Sequence, residues 1–131
     1  MLTGTLNNLL ETVCKRHEWQ TINSDNNGCF KLTLDGITVE LFTQGNLLLM
    51  DSPILTLDTD LEQRWQQLNK ALQLMLINPD IARFSSYCNK QKDQLRIFNV
   101  VPSEALDVAH FEASLTAFVD AVEWINNQLL N

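Results

Sequence analysis

Cys14 and His17 stand three positions apart, a Cys-x2-His spacing that places a thiol and an imidazole on one helical turn and could supply half of a tetrahedral zinc site. The other half would have to come from Cys29, Cys88 or His110, and none of these has a second ligand close by in the chain. The reading adopted is a packed thiol at Cys14 and a helix-end histidine at His17, with no metal. His110 follows Asp107 by three positions. A carboxylate–imidazole pair can move a proton, but the same spacing is that of an aspartate capping the first turn of a helix, and the cap is the expectation. Gly4, Gly28, Gly36 and Gly45 are isolated, so no phosphate-cradling glycine loop exists. The acidic residues are scattered, and no local spacing forces two of them together. No catalytic residue, metal or cofactor is therefore assigned, and the chain is expected to be a binding module and not an enzyme.

The bulk properties agree with a partner-binding role. Sixteen acidic against nine basic residues leave a formal charge of -7, a field that repels phosphate backbones and argues against nucleic-acid binding. It favours a basic or amphipathic partner segment, and it also keeps a protein in solution. Three cysteines, an odd number without a CxxC, point to a reducing compartment with the thiols packed as small hydrophobes. The start, MLTGTLNNLLETVCKRHEW, lacks the basic, apolar and small-residue order of a signal peptide. No apolar run approaches the about 20 residues that span a bilayer, so a cytoplasmic protein without membrane insertion is expected.

The 131 residues suit one domain, 1–131, with 45% hydrophobic residues. At that length folding buries roughly two-thirds of the chain's surface, enough for one core. From Leu2 to about Trp19, Leu2, Leu6, Leu9, Leu10, Val13 and Cys14 fall at helical spacing, and Asn23 to Gly28 read as the loop that follows. The period then becomes two. Phe30, Leu32 and Leu34 precede Asp35-Gly36, and Ile37, Val39 and Leu41 follow it, a hairpin signal because both turn positions tolerate positive φ. Gln44-Gly45-Asn46 turns into a third strand, Leu47 to Met50. Thr59 with Glu62 reads as a capping box for a helix carrying Leu61, Trp65, Leu68, Leu72, Met75 and Leu76, stopped by Asn78-Pro79. Strands at Ala82 to Cys88 and Leu95 to Val101 flank a polar loop, Asn89 to Gln94. The last helix carries Phe111, Leu115, Phe118, Val122, Ile125 and Leu129 in one stripe. The expected order is α-β-β-β-α-β-β-α, an α+β domain with an antiparallel sheet covered by helices.

More apolar side chains are present than one covered sheet face requires. Phe42 has the opposite parity to Ile37, Val39 and Leu41; Leu47 to Met50 are apolar on both faces; Phe98 and Val100 alternate with Leu95, Ile97 and Val101. Phe42, Met50 and Phe98 are expected opposite the core, in a groove that takes an extended peptide, unless a wrapped helix or a dimer covers them. In the second helix, Leu74 and Ile77 lie off the main stripe, so that helix is expected to face both its own sheet and a partner.

In size, acidity and element order, and in Phe30-Lys31-Leu32-Thr33-Leu34-Asp35-Gly36 followed by Ile37-Thr38-Val39-Glu40-Leu41, the chain resembles the class I type III secretion chaperones, the CesT or Tir-chaperone family. The stretch from Phe111 through Leu115, Phe118, Val122 and Trp124 is similar to that family's last helix. The resemblance implies a homodimer in the bacterial cytosol that holds the N-terminal chaperone-binding segment of a secreted effector without hydrolysing ATP. It implies a dimer interface on the second helix and fourth strand, here Trp65, Leu68, Leu72, Met75 and Phe84. Effector-binding patches on the first helix and sheet face would be Leu6, Leu10, Phe42, Leu48, Met50, Phe98 and Val100. The secretion-system ATPase or a regulator is a further partner to consider, although the chain lacks the extended acidic tail that some members carry. Sequestration of a control protein, a heterodimer with a similar chaperone, and a small enzyme with an unrecognised site stay open at this point.

Overall fold

A computed structural model describes residues 2–22, 29–34, 36–91, 93–103 and 106–130. The loop expected at Asn23 to Gly28, and Asp35 of the expected hairpin turn, lie outside them.

The chain begins with helix α1, Leu2–His17, which ends with Lys15, Arg16 and His17 in its last turn, where positive charge suits the helix dipole. Glu18 adopts a φ of 57° and the Trp19 N–H donates to the Cys14 carbonyl, which closes the helix. Four strands follow: β1, Gln20–Ile22; β2, Phe30–Leu34; β3, Ile37–Gln44; and β4, Leu47–Thr56. Gly36 at φ 85° and Gly45 at φ 60° sit in the two turns, conformations that a side chain would strain. Helix α2, Leu61–Ile77, leads into the short helix α3, Pro79–Ala82, and then come β5, Ser85–Asn89, β6, Gln94–Pro102, and helix α4, Val108–Leu130. All neighbouring strands are antiparallel, in the order β1-β2-β3-β4-β6-β5. The fold is α+β with an antiparallel sheet and covering helices, as expected, with β1 and α3 as additions to the expected order.

Three boundaries differ from expectation for local reasons. The N-cap of α2 is Asp60, whose Oδ2 accepts from the Gln63 N–H at 3.2 Å, so the Thr59–Glu62 box does not form. Ala82 closes α3 and does not begin a strand, because Asn78 caps α3 and Pro79 supplies its first residue. β4 continues past Met50 through Pro53, which lacks an N–H. The ladder to β3 has ended by then and the ladder to β6 is irregular between Pro53 and Leu55, so the missing donor is tolerated.

The core lies between the sheet's inner face and helices α1 and α4. Phe111, Leu115, Phe118, Val122 and Ile125 of α4 are fully buried against Val39, Leu41, Met50 and Ile97. Asp107 caps this helix, its Oδ1 accepting from the His110 N–H at 2.8 Å, and that bond holds the Asp107 carboxyl below the usual range.

Candidate functional site

Strand register decides which apolar residues face the core and which face away. Leu41 pairs with Met50 and Thr43 with Leu48, so Leu48 and Met50 share the inner face. Both are buried, as are Leu6 and Leu10 of α1. These four positions, expected in an exposed effector patch, are core residues within the protomer. Met75 and Phe84, expected at a dimer contact, are likewise buried inside it, Phe84 packing edge-on against Phe118 with ring centroids 5.5 Å apart.

The outer face is built from the alternate positions. Phe42, Leu49 and Val100 stand side by side across β3, β4 and β6, with Leu47 next along β4 and Phe98 opposite Asp51. Leu47 and Val100 are exposed, and Phe42, Leu49 and Phe98 are half-buried. Helices α1 and α4 are committed to the inner face, and α2 packs against α3 and α4. Of the seven residues expected to receive an effector, Phe42, Phe98 and Val100 are the ones placed on this outer face. Leu47 and Leu49 join them, and their signal was the apolar run Leu47 to Met50.

A polar island interrupts the apolar band. Arg96, only 4% exposed, donates from Nε to Asp51 Oδ1 at 3.1 Å and from Nη1 to Gln94 Oε1 at 2.7 Å. Its Nη2 lies 3.5 Å from Glu40 Oε1, close enough for charge attraction but without a hydrogen bond. Burial works against the guanidinium's charge, yet Asp51 and Glu40 more than offset it and raise the Arg96 pKa. The Tyr87 hydroxyl donates to Asp51 Oδ2, and the Tyr87 ring meets Phe98 edge-on at 5.6 Å. The cluster thus props two aromatic rings on the outer face. Forty-five residues separate Asp51 from Arg96, so no spacing rule pointed to it.

Tyr87 is the chain's single tyrosine, which makes this cluster directly readable. Burial, the hydrogen bond to Asp51 and the Asp51 charge push its pKa from 10.0 to about 12. The unfolded chain ionises first, so the stability Tyr87 lends is complete below about pH 10 and is lost as pH rises through about 12. The phenolate absorbance of the folded protein is expected to titrate near 12, and that of Asp51→Asn at lower pH. A midpoint near 10 in the wild type would refute the cluster.

A second apolar surface lies on α2. Leu61, Trp65, Leu72, Leu76 and Ile77 are exposed by 81, 70, 47, 77 and 71%, whereas Ala71 and Met75 turn inward. Trp65 and Leu72 were expected at a contact, and Leu68 is half-buried beside them. Leu61 and Leu76 complete the stripe at helical spacing.

Of the residues weighed for metal or acid–base chemistry, His110 Nδ1 lies 2.7 Å from Asp107 Oδ1, an exposed pair formed alongside the helix cap, and the candidate metal ligands are not brought together among the described residues. The His17 ring stacks on Trp19 at 4.3 Å and its Nε2 lies 3.2 Å from Glu112 Oε2, while Arg16 pairs with Glu112 Oε1. Cys14 is buried, which raises its thiol pKa, and Cys88 is exposed on β5 at the far edge of the sheet. Among the described residues no group of three or more metal-ligating side chains occurs, and no helix is long and apolar enough to cross a membrane.

Known structures share this architecture. Similar folds occur in the ExsC–ExsE complex (TM-score 0.68, 17% identity, 97% of this chain and 95% of that one) and in the HopA1–SchA chaperone–effector complex (0.64, 18%, 93% of each). The Yersinia pestis type III secretion chaperone SycH, solved with a stable fragment of YscM2, is also similar (0.57, 20%, 90% of this chain and 97% of that one). At such identities the likeness establishes the fold alone. No curated protein matches the sequence significantly. The model of the Tir chaperone protein (CesT) family matches residues 8–125, nearly the whole length, and the chain belongs to that family of chaperones.

Proposed function

We propose that this protein is a cytoplasmic, bacterial type III secretion chaperone that holds the N-terminal segment of a secreted effector or regulator on the outer face of its sheet. The observation that carries the reading is the band of Phe42, Leu47, Leu49, Phe98 and Val100, apolar side chains on the face opposite the protomer's helices. Strands present alternate residues at regular steps, so a segment lying extended across them can set its own alternate side chains between these rows. Such binding needs no nucleotide: the apolar area removed from water supplies the free energy, and the client stays unfolded because its hydrophobic side chains are occupied. The solved complexes of similar fold, with an effector in one case and with a YscM2 fragment in another, support a peptide-holding role. The exposed stripe on α2 supports a homodimer, which would double the surface offered to one client.

The test begins with purification from the native cytosol and identification of the co-purifying chain by mass spectrometry. The affinity of that chain's N-terminal segment is then measured for Phe42→Thr, Phe98→Thr and Val100→Ser. Burying one large apolar side chain is worth roughly 1.5–3 kcal/mol, so the phenylalanine variants are expected to bind about tenfold to a hundredfold more weakly. Melting temperatures should move by no more than about 5 °C, since little core is opened. Unchanged affinity in all three variants would rule the outer face out as the client surface.

A further inference from the structure

We propose that the cleft between α3 and α4 is a docking site for an arginine-bearing basic segment of a partner protein. The proposal is independent of the outer-face reading, because this cleft lies on the helical side of the sheet. Ala117, Asp120, Ala121 and Trp124 fall at i, i+3, i+4 and i+7 and therefore share one face of α4. Two alanines leave that face shallow. Across it α3 supplies Ile81, fully buried, so a cleft of about 350 Å³ has an apolar base.

The charged groups around this base set the chemistry. Asp80, in the first turn of α3, and Asp120, on α4, line the cleft and are exposed. Neither carboxylate enters an ion pair or a side-chain hydrogen bond among the described residues, although Arg83 also lines the cleft. The Arg83 guanidinium is stacked instead over the Phe84 ring, 4.8 Å from its centroid. Trp124, half-buried, presents an indole that no hydrogen bond or ring contact among the described residues uses.

An apolar base, an indole wall and unpaired carboxylates match the parts of an arginine side chain. Its aliphatic stem packs on alanine, its planar guanidinium lies on an indole, and its paired N–H groups meet a carboxylate. An acidic segment would be repelled by both carboxylates and by the net charge of -7. A purely apolar one would strip water from the carboxylates without replacing it.

The probe is the peptide acetyl-Gly-Leu-Arg-Leu-Gly-amide, beside its twin with neutral citrulline at the central position. Each is titrated into the isotopically labelled full chain while the three tryptophan indole resonances are followed, that of Trp124 being identified with Trp124→Phe. The arginine peptide is expected to shift the Trp124 indole saturably. The citrulline twin, and the Asp80→Asn/Asp120→Asn double variant with the arginine peptide, should each bind about tenfold more weakly, with the variant's melting temperature unchanged. Equal binding of the two peptides, undiminished binding to the double variant, or a Trp124 resonance that stays still up to millimolar peptide would overturn the proposal.

Discussion

Replacing Trp65 and Leu72 together by aspartate is expected to convert the proposed dimer of about 30 kDa to a monomer of 15.0 kDa without unfolding it. Both side chains are on the exposed stripe of α2, so the protomer does not need them for its own core. In water that stripe is costly: Leu61, Trp65, Leu72 and Leu76 are four large exposed apolar side chains on one face of the helix. A two-fold contact would lay the same stripe against itself, placing each residue twice in the interface. A buried tryptophan anchor at the centre of a contact is worth about 2 kcal/mol or more, and burying a leucine side chain about 1.5–3 kcal/mol. Losing two such anchors and burying a carboxylate should raise the dissociation constant by at least about a thousandfold. Light scattering after size exclusion reads the result, and circular dichroism confirms that the variant stays folded. A wild-type chain that runs as a monomer at high micromolar concentration would remove the dimer from the proposed function.

The second large effect is expected inside the protomer. Met50→Ala and Leu48→Ala should each destabilise the fold by about 2–5 kcal/mol, because both side chains are buried against α4 and the inner strands and their removal leaves a cavity. For a domain of this size each kcal/mol moves the melting temperature by about 2–8 °C, so a fall of about 4–40 °C is expected. Leu49→Ala, one position from each along β4 but on the outer face, should cost well under half as much. The three variants make a register test. If Leu49→Ala proved as damaging as its neighbours, the outer face would be packed in solution and the proposed client surface would be lost. Arg96 supplies a harsher version of the same test, since its loss leaves Asp51 and Glu40 without the cation that compensates them.

The elements themselves were legible because local physics sets them. The stripe of α4 follows from a repeat of three and four residues, and the two glycine turns follow from backbone freedom at Gly36 and Gly45. The parity of Phe42, Phe98 and Val100 against their strand neighbours was likewise readable, because alternation along a strand is strict. Where a segment is apolar on both sides, periodicity loses its power. Leu47 to Met50 offer two equally hydrophobic faces, and only the turn that pairs Gln44 with Leu47 decides that Leu48 and Met50 go inward. The same ambiguity governs α2, where Met75 and Trp65 both belong to apolar rows. Small Ala71 lets one side approach its neighbours closely, so Met75 is buried and Trp65 is left outside. The Asp51–Arg96–Tyr87 cluster and the cleft around Trp124 join residues from distant parts of the chain, so they come into being only when the strands pair and α3 packs on α4. Local sequence sets which faces a segment can present; the packing partner that removes the most apolar area from water selects the one that is buried.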